Sequence, residues 1–468
     1  MKKEKKNGLL KGIGIILLIA ILLTWIVPGS QFGTDGQLVK GDFVRIGIFD
    51  LSVYSFYGFQ YFGYVFGYLF ILAGFYKFLN SLKSFKKLTS NFAKKVENYP
   101  FVFTVVSMAF YAILTSVIKD VLVMFLFVPF TIAIMSKLKQ SKIATFTSSI
   151  GGILLGTLAS TANGEFNTLK TVFAVEKYNP EVFSTIGILI IGGVLLGILT
   201  LINNKKKDEE KVENLLEDET IKIDFKKVST IPLIIIGVLT SLFAIFGFID
   251  WANSFGVSAF ADFATKVTES KIAGVPVFKY LIGQSSIAFG EWSIYTLIGL
   301  IVISTLILAI VYRVKLRKVV ELYLEGFKAY AKPIFVVFVI YILFFTSAMF
   351  PTLGVVYNWI IDVFGSNSFT WTIISMISGL FGVAYDYTIY PISQLLISGA
   401  GDSINVVAFA TQLGYGLIQF VAPTGITLAL GLTLLDINYK KYLKFIWKFF
   451  AAMTVISILV LFILANVA

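Results

Sequence analysis

The thirty residues from Val406 to Leu435 contain no Lys, Arg, Asp or Glu. At about 1.5 Å per helical residue such a run is long enough to cross a bilayer. Its middle reads Ala422-Pro423-Thr424-Gly425, so it cannot cross as one unbroken helix. Proline removes a backbone donor and glycine relaxes the chain, and the freed polar groups need partners at a depth where lipid supplies none. Interrupted backbone is tolerated there only where protein or a wet cavity surrounds it, and secondary transporters commonly build their sites from such breaks. A proline kink without a ligand would carry the same residues.

Composition places this segment in a polytopic membrane protein: 57% of the 468 residues are hydrophobic and 14% charged, and 46 are Phe. The net charge of +12 comes mostly from Lys in short loops between apolar runs. It therefore reads as orientation and attraction to anionic headgroups, with no nucleic-acid partner. The chain has no Cys and no His, which removes disulfides, thiol nucleophiles, imidazole metal ligands, Ser-His-Asp triads and histidine proton relays together. No cofactor and no metal site is expected, and no enzyme chemistry. Any coupling ion, Na⁺ or H⁺, must be handled by carboxylates, hydroxyls, amides and carbonyls. The N-terminus, MKKEKKNGLLKGIGIILLIAILLTWIVP, lacks a small-x-small cleavage site and reads as an uncleaved first span.

Loop charge sorts the apolar runs. MKKEKK, the Lys77–Lys95 loop, Lys137–Lys142, Asn203–Lys227, Arg313–Lys332 and Lys440–Lys444 belong on the cytoplasmic side of the cell membrane, with a cytoplasmic N-terminus. Gly29–Tyr57, Asn163–Phe183, Asp250–Gly283 and Gly399–Asn405 belong outside. Phe101–Met135 must then leave the cytoplasm and return, either as two short spans or as a re-entrant hairpin with Lys119-Asp120 at its turn. Phe369–Ser398 does the same from outside, turning near Asp386. Each is followed by a helix with a break: residues 143–166, interrupted at Ala159–Gly164, and residues 406–435. Phe146, Ile150, Gly151, Ala159 and Thr161 match Phe409, Leu413, Gly414, Ala422 and Thr424 at one constant offset of 263. The expected fold is thus an all-α polytopic membrane protein with inverted repeats, each holding a re-entrant helical hairpin and a broken transmembrane helix. Residues 1–202 form one transmembrane half, 203–229 a solvated cytoplasmic linker, and 230–468 the other half. Arg313–Lys332 has the pattern of an amphipathic surface helix.

Candidate substrate contacts follow from charge and from the breaks. Lys119 could hold a substrate carboxylate while Asp120 or Asp386 meets an ammonium or a coupling cation; as a bland pair, Lys119 and Asp120 would cap two short spans in water. Ser160, Thr161, Asn163, Thr388 and Thr424 offer hydroxyl and amide groups near hairpin turns and helix ends. Gln412 and Gln419 could donate to a carboxylate or bond across a helix interface. Half-helix N-termini favour anions and C-termini favour cations, so Thr161, Asn163, Thr424 and Gly425 are the ion-binding candidates. The Tyr57, Tyr61, Tyr64, Tyr68 stripe reads as helix packing or an interface belt.

TWIVPGSQF after the first span, YLEGFKAYAKPIFVV at 323–337 and FATQLGYGLIQFVAPTGITLALGLTLLDINYKKYLKF at 409–445 resemble the YfcC/DcuC-type carriers, the four-carbon dicarboxylate carrier family of the ion-transporter superfamily. Gln412, Gly414, Gly416, Pro423, Thr424, Tyr439, Tyr442, Leu443 and Lys444 fill that family's C-terminal pattern. The resemblance implies inverted repeats, re-entrant hairpins, a substrate site between hairpin tips and broken helices, and often a homodimer. The chain departs from relatives at Lys119-Asp120, at Asn163-Gly164-Glu165 and at Asp386–Pro391, the substrate-facing positions. The expectation is a secondary active transporter, symporter or antiporter, for a small carboxylate-bearing metabolite in the bilayer. An amino acid is favoured, because Lys119 keeps company with Asp120 and Asp386. Basic amino acid exchange is a sub-option that the resemblance implies. A C4-dicarboxylate carrier and a passive channel are the alternatives.

Overall fold

The computed structural model describes residues 8–32, 38–162, 168, 179–204, 210–217, 229–282, 288–348, 352–385 and 404–467. Chain order gives α1 (Gly8–Ile26), a ribbon of β1 (Ser30–Phe32) and β2 (Leu38–Lys40), α2 (Ile48–Ser81), α3 (Lys83–Val96) and α4 (Pro100–Val117). A tight 3₁₀ segment over Val121–Leu126 leads to α5 (Val128–Lys137). Then come α6 (Lys142–Phe146), a π turn (Thr147–Gly151), α7 (Gly152–Leu158) and α8 (Asn179–Asn204). The second part has α9 (Ile231–Phe248), α10 (Trp251–Phe255), α11 (Ala259–Glu269), α12 (Val277–Ile282), α13 (Ile294–Val311) and α14 (Leu316–Ala348). It ends with α15 (Thr352–Phe364), α16 (Ser368–Leu380), α17 (Ile404–Gln419), α18 (Ile426–Leu434) and α19 (Tyr439–Val467). Among the described residues, 8 helices are long and apolar enough to cross a membrane, and the chain is a helical multi-pass membrane protein.

Two units, each a hairpin arm packed parallel to a broken helix, form the centre. In the first, α4 lies along α7 so closely that a Cβ on Gly152 would sit 2.5 Å from the Met108 carbonyl oxygen. In the second, α16 lies along α17, and a Cβ on Gly414 would sit 2.3 Å from the Thr372 carbonyl oxygen. Only glycine permits either approach. Gly152, one residue beyond the Gly151 of the sequence match, is the counterpart of Gly414. The π turn at Thr147–Gly151 accommodates that extra residue. The two broken helices run antiparallel: Gln412 Nε2 donates to the Ser160 carbonyl at 2.9 Å, Gly416 abuts Leu158, and Gly431 abuts Ile150. The units are therefore inverted with respect to each other.

The break of the second unit is held by side chains from α19. The Tyr442 hydroxyl donates to the Phe420 carbonyl at 2.8 Å and the Tyr439 hydroxyl to the Val421 carbonyl. Thr424 Oγ1 donates to the Leu380 carbonyl at 2.8 Å and the Gly379 carbonyl at 3.2 Å, closing the end of α16. The Tyr439 and Tyr442 of the C-terminal pattern thus satisfy carbonyls that the break releases.

The Lys-rich segments gather at one pole. Ion pairs join Lys77 to Glu325 (3.8 Å), Lys137 to Glu217 (3.7 Å), Lys142 to Glu210 (2.9 Å) and Lys332 to Asp436 (3.0 Å). Two expectations change here. Arg313–Lys332 is no separate surface helix, because Leu316–Ala348 is one helix whose first turns pack inward through Val319 and Leu322. The linker is not wholly solvated: Val212 and Leu216 are buried against this pole.

Removing the Tyr442 hydroxyl leaves a buried carbonyl without its donor, so Tyr442→Phe should cost about 1–3 kcal/mol. Its melting temperature in detergent should fall measurably, and an unchanged melt would show that the break is held by other means. The hydrogen bond from Lys142 holds the Glu210 carboxyl below its ordinary value of 4.5. Its contribution is complete above that value and disappears as pH falls through the lower, folded one. Amide exchange at Val212, whose N–H donates to the Gln140 carbonyl, corrected for intrinsic rate, should stay slow from neutral pH to about 4.5 and rise only below.

Candidate functional site

A cavity of about 320 Å³ opens where the second break meets the tip of the first hairpin. Its walls are the Lys119–Leu122 turn, the end of α16 and the residues after it (Gly379–Tyr385), the break (Gln419, Thr424–Thr427), Leu154 and Thr157 of α7, and aromatic faces of α2 and α14. Phe62 and Tyr341 stack at 3.8 Å between ring centroids, and Tyr385 meets Tyr415 edge-on at 5.1 Å.

The break supplies the polar groups on one wall. Gly425 caps α18 and the helix starts at Ile426, with no acidic residue in its first turn. Its leading amides therefore present partial positive charge to the cavity. Gln419 is only 7% exposed, yet among the described residues its amide has no hydrogen-bond partner. It fits between Gly379 and Gly425, where a Cβ on Gly425 would sit 2.5 Å from its Oε1. Its amide is thus available to a group that enters the cavity. The Thr427 hydroxyl lines the same cavity.

On another wall, Asp120 Oδ1 accepts from the Leu122 amide at 2.9 Å, capping the 3₁₀ segment. Lys119 is differently engaged. Its Nζ donates to the Gly290 carbonyl at 2.7 Å and pairs with Asp250 at 3.7 Å, while its backbone N–H donates to Phe248. Among the described residues, its ion-pair partner is Asp250, distant in sequence. The 18 residues of α4 rise about 27 Å, and Ile118, which follows them, pairs with Ile249 at the end of α9, at the pole of the molecule away from the Lys-rich one.

Of the sequence candidates, Lys119, Asp120, Thr424 and Gly425 line the cavity. Ser160 and Thr161 do not: the Thr161 hydroxyl donates to the Ser116 carbonyl at 3.1 Å, the Thr161 and Ala162 amides donate to the same carbonyl, and Ser254 donates to the Ala162 carbonyl. Gln412 does not line it either: its Nε2 donates to the Ser160 carbonyl, and its Oε1 is buried without a partner among the described residues. Asn163, Asp386 and Thr388 lie outside the described residues. Tyr415, Tyr385 and Thr427 were missed. Gln412, Tyr415 and Gln419 recur at helical spacing on an otherwise apolar helix, and that stripe was the available signal.

No family model matches the chain, so the YfcC/DcuC-type resemblance rests on the residues quoted for it. No curated protein matches it either. Among solved structures it is similar to the YdaH transporter of Alcanivorax borkumensis, whose crystal structure reveals an unusual topology, at 11% identity and a TM-score of 0.42 over 96% of each chain. A likeness that distant carries no weight beside the geometry.

If Lys119 ties the far pole through Asp250, then Lys119→Ala should destabilise by about 1–3 kcal/mol, because it leaves a carboxylate 6% exposed with only its Asn253 donors and no cation. Adding Asp250→Asn should restore part of the loss, and strictly additive effects in thermal melts would contradict the pairing.

Proposed function

We propose that the chain is a secondary active transporter for a small carboxylate-bearing metabolite, an amino acid in preference to a dicarboxylate, working by alternating access. The observation that carries the proposal is the Gln419 amide, unpartnered among the described residues, beside the first turn of α18 in the wall of a half-open cavity of about 320 Å³ lined by membrane helices. Helix N-termini with a nearby amide suit a carboxylate, and about 300 Å³ is the lower range of small-molecule sites. Asp120 and the aromatic faces suit an ammonium group. They disfavour a second carboxylate, and Lys119 is committed elsewhere. Basic amino acid exchange is compatible with this pairing. The coupling ion, Na⁺ or H⁺, would use Asp120. In this reading residues 1–202 and 230–468 are the two halves, the charged pole is cytoplasmic, and a homodimer is one arrangement.

Thermal-shift screening of the purified protein against arginine, glutamate and succinate, with Na⁺ varied, tests the reading. An amino acid at a hundred times its dissociation constant should stabilise by about 2.7 kcal/mol. Gln419→Leu and Asp120→Asn should each abolish that shift while the unliganded melt stays close to wild type, since Asn keeps the cap at position 120. A shift given only by succinate would favour the dicarboxylate reading, and shifts retained in both variants would place the site elsewhere.

A further inference from the structure

The cavity at the second break has walls of two kinds. Its polar groups come from the break and from the Lys119–Leu122 turn, and much of the remainder is ring surface: Phe62 and Tyr64 of α2, Tyr341 and Phe344 of α14, Tyr415 of α17, and Tyr385. Six aromatic side chains from four parts of the chain thus meet at one small space.

Local backbone geometry places them. Tyr341 and Phe344 stand three residues apart on α14 and so share a face of that helix. Phe62 joins both: its ring stacks on Tyr341 at 3.8 Å with 9° between the planes, and meets Phe344 edge-on at 5.4 Å and 88°. On the other side, α16 ends in a left-handed turn at Gly382, φ 70°. The Val383 N–H donates to the Ser378 carbonyl at 3.1 Å and the Gly382 N–H to the Gly379 carbonyl at 3.2 Å, the paired bonds of a glycine helix stop. A Cβ on Gly382 would lie 3.5 Å from the Thr424 Cβ, so the turn sits against the break, and Tyr385 beyond it reaches Tyr415.

Helix packing accounts for rings that are wholly enclosed. Phe62, Tyr64 and Tyr415 are not: each is half-buried and lines the cavity. Their remaining surface is available to a solute.

The charges narrow what that solute carries. Among the described lining residues, Lys119 and Asp120 are the charged groups. Lys119 already serves the Gly290 carbonyl and Asp250, and Asp120 is matched to the ammonium in the reading above. With the carboxylate at the first turn of α18, the side chain of the amino acid is left to the rings. A charged side chain there would exchange water for ring surface and meet no further counter-ion among those residues. An aromatic one gains apolar burial together with edge and face contacts.

We infer that the solute is a neutral amino acid with an aromatic side chain, selected by the ring surface of Phe62, Tyr341 and Phe344. The inference rests on the amino acid reading of the same site. It is tested on the purified full-length chain by the concentrations of phenylalanine, leucine, alanine and arginine that give half of the maximal thermal shift. Phenylalanine should need at least about tenfold less than alanine or arginine, the scale of burying one phenyl group. Phe62→Leu keeps an apolar side chain in place but removes the ring, and should lower the preference for phenylalanine over leucine by about threefold or more. Equal half-saturation by phenylalanine and alanine, or tightest binding of arginine, would overturn the inference without any variant. An unchanged ratio of phenylalanine to leucine in Phe62→Leu would overturn the part given to that ring surface. A shift that ignores the side chain defeats this inference alone, whereas no shift with any amino acid defeats the reading beneath it.

Discussion

A peptide group in the hydrocarbon region must find a partner inside the protein, because lipid offers none. The break at Phe420–Gly425 meets that constraint asymmetrically. On its upstream side the carbonyls of Phe420 and Val421 are taken by Tyr442 and Tyr439. Thr424 in turn satisfies the end of α16. Downstream, the first turn of α18 faces the cavity instead. The same interruption is therefore locked at its carbonyl end and open at its amide end.

The second constraint is that two inverted units must pack through their backbones. Gly152 and Gly414 allow each hairpin arm to touch its broken helix, and Gly416 and Gly431 allow the broken helices to touch each other. The units are alike in plan and unlike in use. At the first break the Thr161 and Ala162 amides donate to the Ser116 carbonyl and Ser254 donates to the Ala162 carbonyl, whereas the second break lines the cavity. Polar ties join distant parts of the chain at both poles: Lys119 with Asp250 at one, and Glu210 with Lys142 and Lys441 at the other.

Much of this was legible in the sequence wherever the signal was local. An uncharged thirty-residue run with Pro423 and Gly425 in its middle dictates a broken helix, and Lys-rich loops dictate which ends gather at one pole. The repeat was legible to within one residue, the π turn being invisible in a pattern that reads through it. Long-range pairing was not legible. Nothing near Lys119 names Asp250 as its partner, and nothing in the charged run after Asn204 marks Val212 and Leu216 as anchors, since two apolar residues make no period. Gln419 looked like any interfacial amide until Gly379 and Gly425 were seen to hold it open.

The central claim is that the cavity at the second break takes up a solute and carries it across by exposing it to each pole in turn. Counterflow in proteoliposomes, using a radiolabelled amino acid that stabilises the purified protein, addresses it most directly. The account predicts saturable uptake that accelerates when the same unlabelled solute is loaded inside, and that Gln419→Leu abolishes. Flux that rises linearly with concentration and ignores the internal solute would contradict it.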